Sequence, residues 1–474
     1  MSYPSLHFPP RRQARAHAIL LQVPFQPPKN QLTRSSVLFY PPFFQAEYPA
    51  QKTQYMKPNK SIGQHSNPVQ IPCVESLPKP QEKSPGRASN IESGVTIDLA
   101  DLNTITVSED RTVTSLGPGN RWIDVYRKLD AMGLSVVGGR VADIGVGGLM
   151  LGGGISYFSG RYGWACDNVV NYQIVLANGS ICDVSYDAHP DLYFALRGGG
   201  NNFGIVTRFD VVTFPQGEML GGGLTFRLDR SPALIDALVH FTTNAPKDPY
   251  AAVLMAYYYS DSYDDFMISL SVAYGKPELN PRILQNFTTL PCIGSAFQIT
   301  NMTSMAAVAK ESNPTGFRQT SWTLTFQNDA SLIAKVVEIF KEEVGPFKHV
   351  SRPGLLLQPI TMNMISHFSR NGGNALGMTD KDGPLILLDV SIMWDSADDD
   401  ERILKAARNI INRGNETAYS RGLGHQFLYQ NYAAAGQDVF QSYGADSYAK
   451  LKAISAKYDP DGVFTKLQPG YFKL

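Results

Sequence analysis

Charge of one sign is the first thing this sequence lacks. Lys and Arg total 42, Asp and Glu total 42, and the formal net charge is zero. A chain without a basic surplus has nothing to neutralise nucleic-acid phosphates or anionic lipid, so both are set aside as partners. No apolar run approaches the ~20 residues needed to span a bilayer, and a soluble protein is expected. Cysteine is scarce. Cys73, Cys166, Cys182 and Cys292 are too few and too scattered for a disulfide framework or a zinc site, and no metal is expected. Acidic residues are missing before Glu47, while Arg11, Arg12 and Arg15 cluster near the start, a bias found in organellar presequences. The prolines there argue against the amphipathic helix such a presequence needs, and no secretory signal is clear, so localisation stays open.

Prolines are unevenly spread. The first 88 residues hold 15 of the 31, with neither helical nor strand periodicity, and this stretch is read as disordered. Glycine is concentrated elsewhere. Two loops, Gly145-Val-Gly-Gly-Leu-Met-Leu-Gly-Gly-Gly154 and Gly198-Gly-Gly-Asn-Asn-Phe-Gly204, flank strand-like runs over 169–176 and 180–186 and a short helix over 190–196. Glycine pays the largest backbone entropy on folding, so such density points to left-handed backbone or close approach to a ligand. Converging N–H groups in such loops suit phosphate. No Gly-Lys-Ser/Thr follows either loop, which excludes a P-loop. Gly145 and Gly147 begin a dinucleotide turn, but Met150 stands where its third glycine belongs.

Other elements follow from pattern. Residues 94–99 and 112–116 alternate as half-buried strands, and Trp122, Val125, Tyr126 and Leu129 recur at helical spacing. Beyond residue 221, strands over 251–259, 268–273, 322–326 and 385–393 alternate with helix stripes. These stripes are Leu234/Ile235/Leu238/Val239, Leu332/Ile333/Val336/Val337/Phe340 and Ile403/Leu404/Ala407/Ile410/Ile411, all read as core. The fold class is α+β. Five Asn-x-Ser/Thr sequons occur, at Asn59, Asn178, Asn286, Asn301 and Asn415.

Gly138-Gly-Arg140, Asp143-Ile-Gly-Val-Gly-Gly148, Gly152-Gly-Gly154, Tyr162-Gly-Trp-Ala-Cys-Asp-Asn168, Leu176-Ala-Asn-Gly179 and Leu196-Arg-Gly-Gly-Gly200 form one set of motifs. With Asn202-Phe-Gly-Ile-Val-Thr-Arg-Phe209, Tyr429-Gln-Asn-Tyr432, Lys457-Tyr-Asp-Pro460 and Gly470-Tyr-Phe-Lys-Leu474, they resemble the FAD-linked oxidases of the vanillyl-alcohol-oxidase type, in the berberine-bridge-enzyme-like branch. The resemblance implies a PCMH-type FAD-binding domain, formed from residues 88–215 and completed by residues 436–474. An inserted substrate domain of antiparallel sheet and covering helices would occupy residues 216–435, after the Pro-rich residues 1–87.

It also implies that Gly145, Val146, Gly147, Gly148, Gly152, Gly153, Gly154, Gly204, Val206 and Asn431 contact FAD, with Tyr432 as the base. Asp167 and Asn168 are read two ways, as polar contacts to the flavin or as side chains bonding their own turn. Asp389 and Glu416 are unranked further carboxylates, and His425 is expected to pack or hydrogen-bond structurally. Strand alternation over 429–432 would put Tyr432 on the opposite face from Tyr429 and Asn431 unless the strand ends there.

Relatives hold the FAD pyrophosphate with an Arg-x-Gly-Gly-His-like loop whose histidine often bonds the flavin. This sequence joins the pattern at Ala88, past that loop. His65 is out of context, and no cysteine stands in Arg140-Val-Ala-Asp-Ile144, so noncovalent FAD is expected. The function implied is oxidation of a small organic substrate, a specialised metabolite, by hydride transfer to flavin with O2 as acceptor. Carbohydrate oxidation is the alternative within that class. A flavin-poor pseudoenzyme or truncated chain is the alternative outside it. Oligomeric state is not legible.

Overall fold

The computed structural model describes residues 73–74, 96–314, 316–468, 470 and 472–474. The expected pyrophosphate-loop region and His65 lie outside the described residues. Two antiparallel sheets organise the described chain, as an α+β fold requires.

The smaller sheet has six strands. Ile105–Val107, Val113–Leu116, Ile205–Pro215, Val169–Val175 and Ile181–Val184 lie side by side in that order, and Leu134–Val136 pairs with the end of Ile205–Pro215. The Asn178-Gly179 turn closes the last hairpin, with Gly179 at φ 78. The helix Trp122–Asp130 buries Trp122, Val125, Tyr126 and Leu129, the stripe its spacing predicts. Of the strand expected over 94–99, the described residues show Ile97–Asp98, which pairs in parallel with Cys73–Val74.

The larger sheet has nine strands. Its centre runs Met219–Arg227, Asp265–Tyr274, Ala251–Ser260, Ser351–Ile360, Leu385–Trp394 and Arg318–Gln327. One face carries Met255, Tyr257, Leu355, Leu357, Leu388 and Val390 into a core shared with helices Ser231–Asn244, Ala330–Val344 and Asp400–Ser420. Each fully buried aliphatic side chain there contributes about 1.5–3 kcal/mol. The Asp329 carboxylate caps the second of these helices by accepting from the Leu332 N–H at 2.8 Å.

The other face of this sheet behaves differently. Leu254, Ala256, Leu356 and Leu387 join the core of the smaller sheet. Among them stand buried polar groups that alternation sends the same way: Ser269, Ser271, Gln358, Asp389 and Ser391. The strand Leu385–Trp394 is buried along its whole length, and Asp389 is its only charged residue. That polar face meets Tyr432 through Gln358.

One buried cation ties the start of the second glycine loop to residues 370–373. Arg197 is 0% exposed and donates to the carbonyl oxygens of Arg370 at 3.0 Å and Asn371 at 2.8 Å, and also to that of Gly373. Arg197→Met strands all three carbonyls, so a loss of about 3–5 kcal/mol is expected in denaturant unfolding.

Candidate active site

The two glycine loops meet on the segment 429–432. Gly145 precedes the short helix Val146–Leu151, with Gly147 and Gly148 inside it and Gly152 capping its end. Gly153 and Gly154 follow at φ 109 and 85, backbone that side-chain-bearing residues avoid. A Cβ on Gly153 would lie 2.8 Å from the Trp164 ring, and one on Gly154 would lie 2.7 Å from Ala165 Cβ. The Ala165 N–H donates to Gly154 O at 2.7 Å and the Cys166 N–H to Gly153 O at 2.8 Å. From the second loop, the Gly200 N–H donates to Leu151 O at 3.1 Å. The loops are therefore one surface.

Residues 429–432 form a turn rather than the expected strand end, closed by the Tyr432 N–H donating to Tyr429 O at 2.9 Å. This removes the alternation difficulty. Tyr429 and Tyr432 stand edge to face, 4.8 Å apart at their centroids. The Tyr429 hydroxyl accepts from the N–H groups of Gly154 and Ile155 at 3.2 Å each, and from Asn431 Nδ2 at 3.0 Å. Burial pushes that phenol up to about 12. Asn431 Nδ2 also donates to Leu149 O at 3.1 Å, and its Oδ1 presses on Gly152, where a Cβ would sit 2.1 Å away. Gly152→Ala keeps an allowed backbone (φ −96) but collides with that amide. A stability loss of about 1–3 kcal/mol is expected in thermal unfolding.

Tyr432 links both sheets' neighbourhoods. Its hydroxyl accepts from Arg140 Nη2 at 2.6 Å and donates to Gln358 Oε1 at 3.4 Å. Burial raises the Tyr432 phenol far above its ordinary value, against the pull of Arg140, so at rest it is protonated. Asp389 is 1% exposed, and burial pushes it up to about 7, with the Ser321 hydrogen bond and the Arg140 charge opposing. Ser321 Oγ lies 2.5 Å from Asp389 Oδ1 and 3.0 Å from Tyr432 O, so it couples that carboxyl to the 429–432 turn. Asp389 Oδ2 and Gln358 Nε2 are buried without a hydrogen-bond partner. Glu416, the other carboxylate considered, is exposed on the helix Asp400–Ser420. His425 is structural: its Nδ1 accepts from the Phe427 N–H at 3.2 Å and its Nε2 faces Asp382 at 3.2 Å.

The remaining expected cofactor residues have local tasks. Asp167 accepts from the Trp164 N–H at 2.8 Å and from Asn374 Nδ2 at 2.7 Å, and burial raises it to about 6. Asn168 Nδ2 donates to the carbonyls of Tyr162 at 3.0 Å and Trp164 at 2.8 Å. Asp167 thus bonds its own turn and Asn374, and Asn168 bonds its own turn. Gly204 packs on the strand Val169–Val175, where a Cβ would lie 2.6 Å from Val175 O, and Val206 pairs with Ile174. The sequence reading missed Arg140, Ser321, Gln358 and Gln430. Arg140 and Gln430, each inside one of the family motifs, carried a local signal, and Ser321 and Gln358 carried none.

These residues fit a flavin. Gln430 has both side-chain amide atoms buried and unpartnered, as is Asn431 Oδ1, beside glycine-built backbone at both loops. Native proteins satisfy nearly all such groups, and a ligand with polar edges would do so here. The comparisons with known proteins agree. The FAD binding domain family model matches residues 76–185, opening ahead of Ala88. The FAD-dependent monooxygenase tpcD of Cochliobolus heterostrophus is 39% identical over 403 residues, covering 82% of this chain and 77% of that protein. The bifunctional solanapyrone synthase of Alternaria solani is 34% identical over 389 residues, covering 81% and 74%. In three dimensions, berberine bridge enzyme from Eschscholzia californica superposes with a TM-score of 0.68 at 15% identity, covering 86% of each chain; that likeness speaks for the fold.

Fold and site define an FAD-linked oxidoreductase. The chain belongs to the FAD-dependent oxidoreductase family of these relatives, and FAD is its cofactor. Among the described residues no helix is long and apolar enough to cross a membrane.

Proposed function

We propose that this enzyme oxidises a small, oxygen-bearing specialised metabolite, with noncovalently held FAD accepting hydride and O2 receiving the electrons. The contact that carries this reading is the Tyr432 hydroxyl, gripped by Arg140 from the glycine-loop side and facing Gln358 from the sheet. The bound flavin supplies the redox chemistry; the protein binds, orients and moves protons. Gly145, Val146, Gly147, Gly148, Gly152, Gly153, Gly154 and Asn431 would hold the cofactor.

The proton roles divide by environment. Tyr432 was expected as the base, but a phenol raised by burial and already accepting from a guanidinium keeps its own hydrogen to give. We assign it as the donor that orients a substrate oxygen. Asp389, raised to about 7 and with Oδ2 unspent, is suited to take a proton near neutrality. The name of the solanapyrone synthase supports a specialised-metabolite substrate.

Anaerobic mixing of the holoenzyme with a panel of phenolic, alkaloid and polyketide compounds tests the reading. Bleaching of the visible flavin bands by at least one of them, followed by reoxidation and peroxide release in air, is expected. A panel that includes sugars and bleaches only with sugars would overturn the substrate class.

A further inference from the structure

Gln430 plays no part in the proton chemistry, yet it is the most conspicuous unspent polar side chain near the glycine loops. It is 2% exposed, and neither its Oε1 nor its Nε2 has a hydrogen-bond partner. The turn that closes 429–432 fixes its backbone, with the Ala433 N–H donating to Gln430 O at 3.4 Å. Its amide lies against the second glycine loop, where a Cβ on Gly200 would come within 2.4 Å of Nε2. Gly200, at φ 64, is thus a glycine for two reasons, its backbone and the space the amide occupies. Next along the chain, Asn431 Oδ1 is also unpartnered and presses on the first loop at Gly152.

A buried amide with both ends unsatisfied is costly, and a leucine of similar size would avoid that cost. Packing therefore gives no reason for a glutamine at this point. A ligand that offers an acceptor beside a donor does.

We infer that the Gln430 side chain is a cofactor-recognition group that pairs with the imide edge of the isoalloxazine. That edge presents an N3–H donor between two carbonyl acceptors. One carboxamide matches half of it in register, Oε1 accepting from N3–H while Nε2 donates to the adjacent carbonyl. Asn431 Oδ1 remains to accept from a cofactor hydroxyl. The inference rests on the reading of these loops as the flavin site and adds which side chain reads the ring.

The test needs no substrate. Apoprotein of the wild type and of Gln430→Leu is titrated with FAD and with N3-methyl-FAD, following quenching of flavin fluorescence, and each apoprotein is melted alone. Wild type is expected to bind FAD about tenfold or more tightly than N3-methyl-FAD, a difference of about 1.4 kcal/mol. Gln430→Leu is expected to bind both weakly and alike, while its apoprotein melts higher than wild type. Loss of affinity together with gain of stability is a pairing that a merely structural amide would not produce. Equal FAD affinity in the two proteins, or wild-type indifference to the N3 methyl group, would overturn the role of Gln430. Wild type that binds no FAD would overturn the flavin site itself. A Gln430→Met variant guards against misfolding of the leucine protein: it is unbranched, keeps the length and lacks the amide, and is expected to bind FAD and N3-methyl-FAD as weakly and as alike as Gln430→Leu.

Discussion

Asp389→Asn is expected to slow substrate-driven flavin reduction by about 10²–10⁴-fold, the usual contribution of a positioned base. The rise of rate through neutrality that accompanies ionisation of this carboxyl should vanish in the same variant. Stability is expected to move the other way. Asp389 titrates near 7 in the folded protein and near the ordinary carboxylate value of about 3.9 when unfolded. Between those values the folded state holds a proton that the unfolded state has released. Stability therefore falls as pH rises across this window, and the loss is complete above the folded value. Asparagine removes the penalty, so the variant is expected to unfold at higher denaturant above neutrality by roughly 2–4 kcal/mol, and to match wild type in acid. A carboxyl kept where it destabilises the fold, with Oδ2 unpaired and only Ser321 in contact with Oδ1, is best explained by use. Parallel pH–stability curves for the two proteins would remove Asp389 from the proton chemistry.

Tyr432→Phe is the second large effect. The ring and its edge-to-face contact with Tyr429 survive, and the Arg140 guanidinium loses the oxygen it holds at 2.6 Å. FAD is expected to stay bound, with unchanged visible bands. Flavin reduction by substrate is expected to fall by about 10²-fold or more, as when an orienting donor is removed from a transition state. Unchanged reduction in a flavin-loaded variant would take Tyr432 out of the mechanism.

Much of the scaffold was legible in the sequence because its constraints are local. Gly153, Gly154 and Gly200 occupy backbone that other residues avoid, so their density reported a built loop before any coordinates. The helix stripes at 332–340 and 403–411 emerged where expected because a periodic apolar face has one stable way to be buried.

The site was less legible, for definite reasons. Arg140 and Tyr432 are 292 residues apart, and nothing in either neighbourhood announces the pair. Asp389 stands in a strand buried on both faces, so alternation could not tell which side met the helices and which met the loops. Glu416 looked equal to it as a carboxylate until the helix Asp400–Ser420 turned that residue to solvent. The segment Phe427-Leu-Tyr429 leading into 429–432 favours strand by composition. Tertiary bonds from Gly154, Ile155 and Leu149 to the side chains of 429–432 make that stretch a turn instead.

The visible absorption spectrum of the purified full-length protein, recorded before and after acid precipitation, tests the flavin site most directly. Flavin bands in the native protein that pass wholly into the acid supernatant are the expected result, and mark FAD held without a covalent bond between the two glycine loops and the 429–432 turn. A folded protein that is colourless and stays colourless after incubation with excess FAD would contradict it.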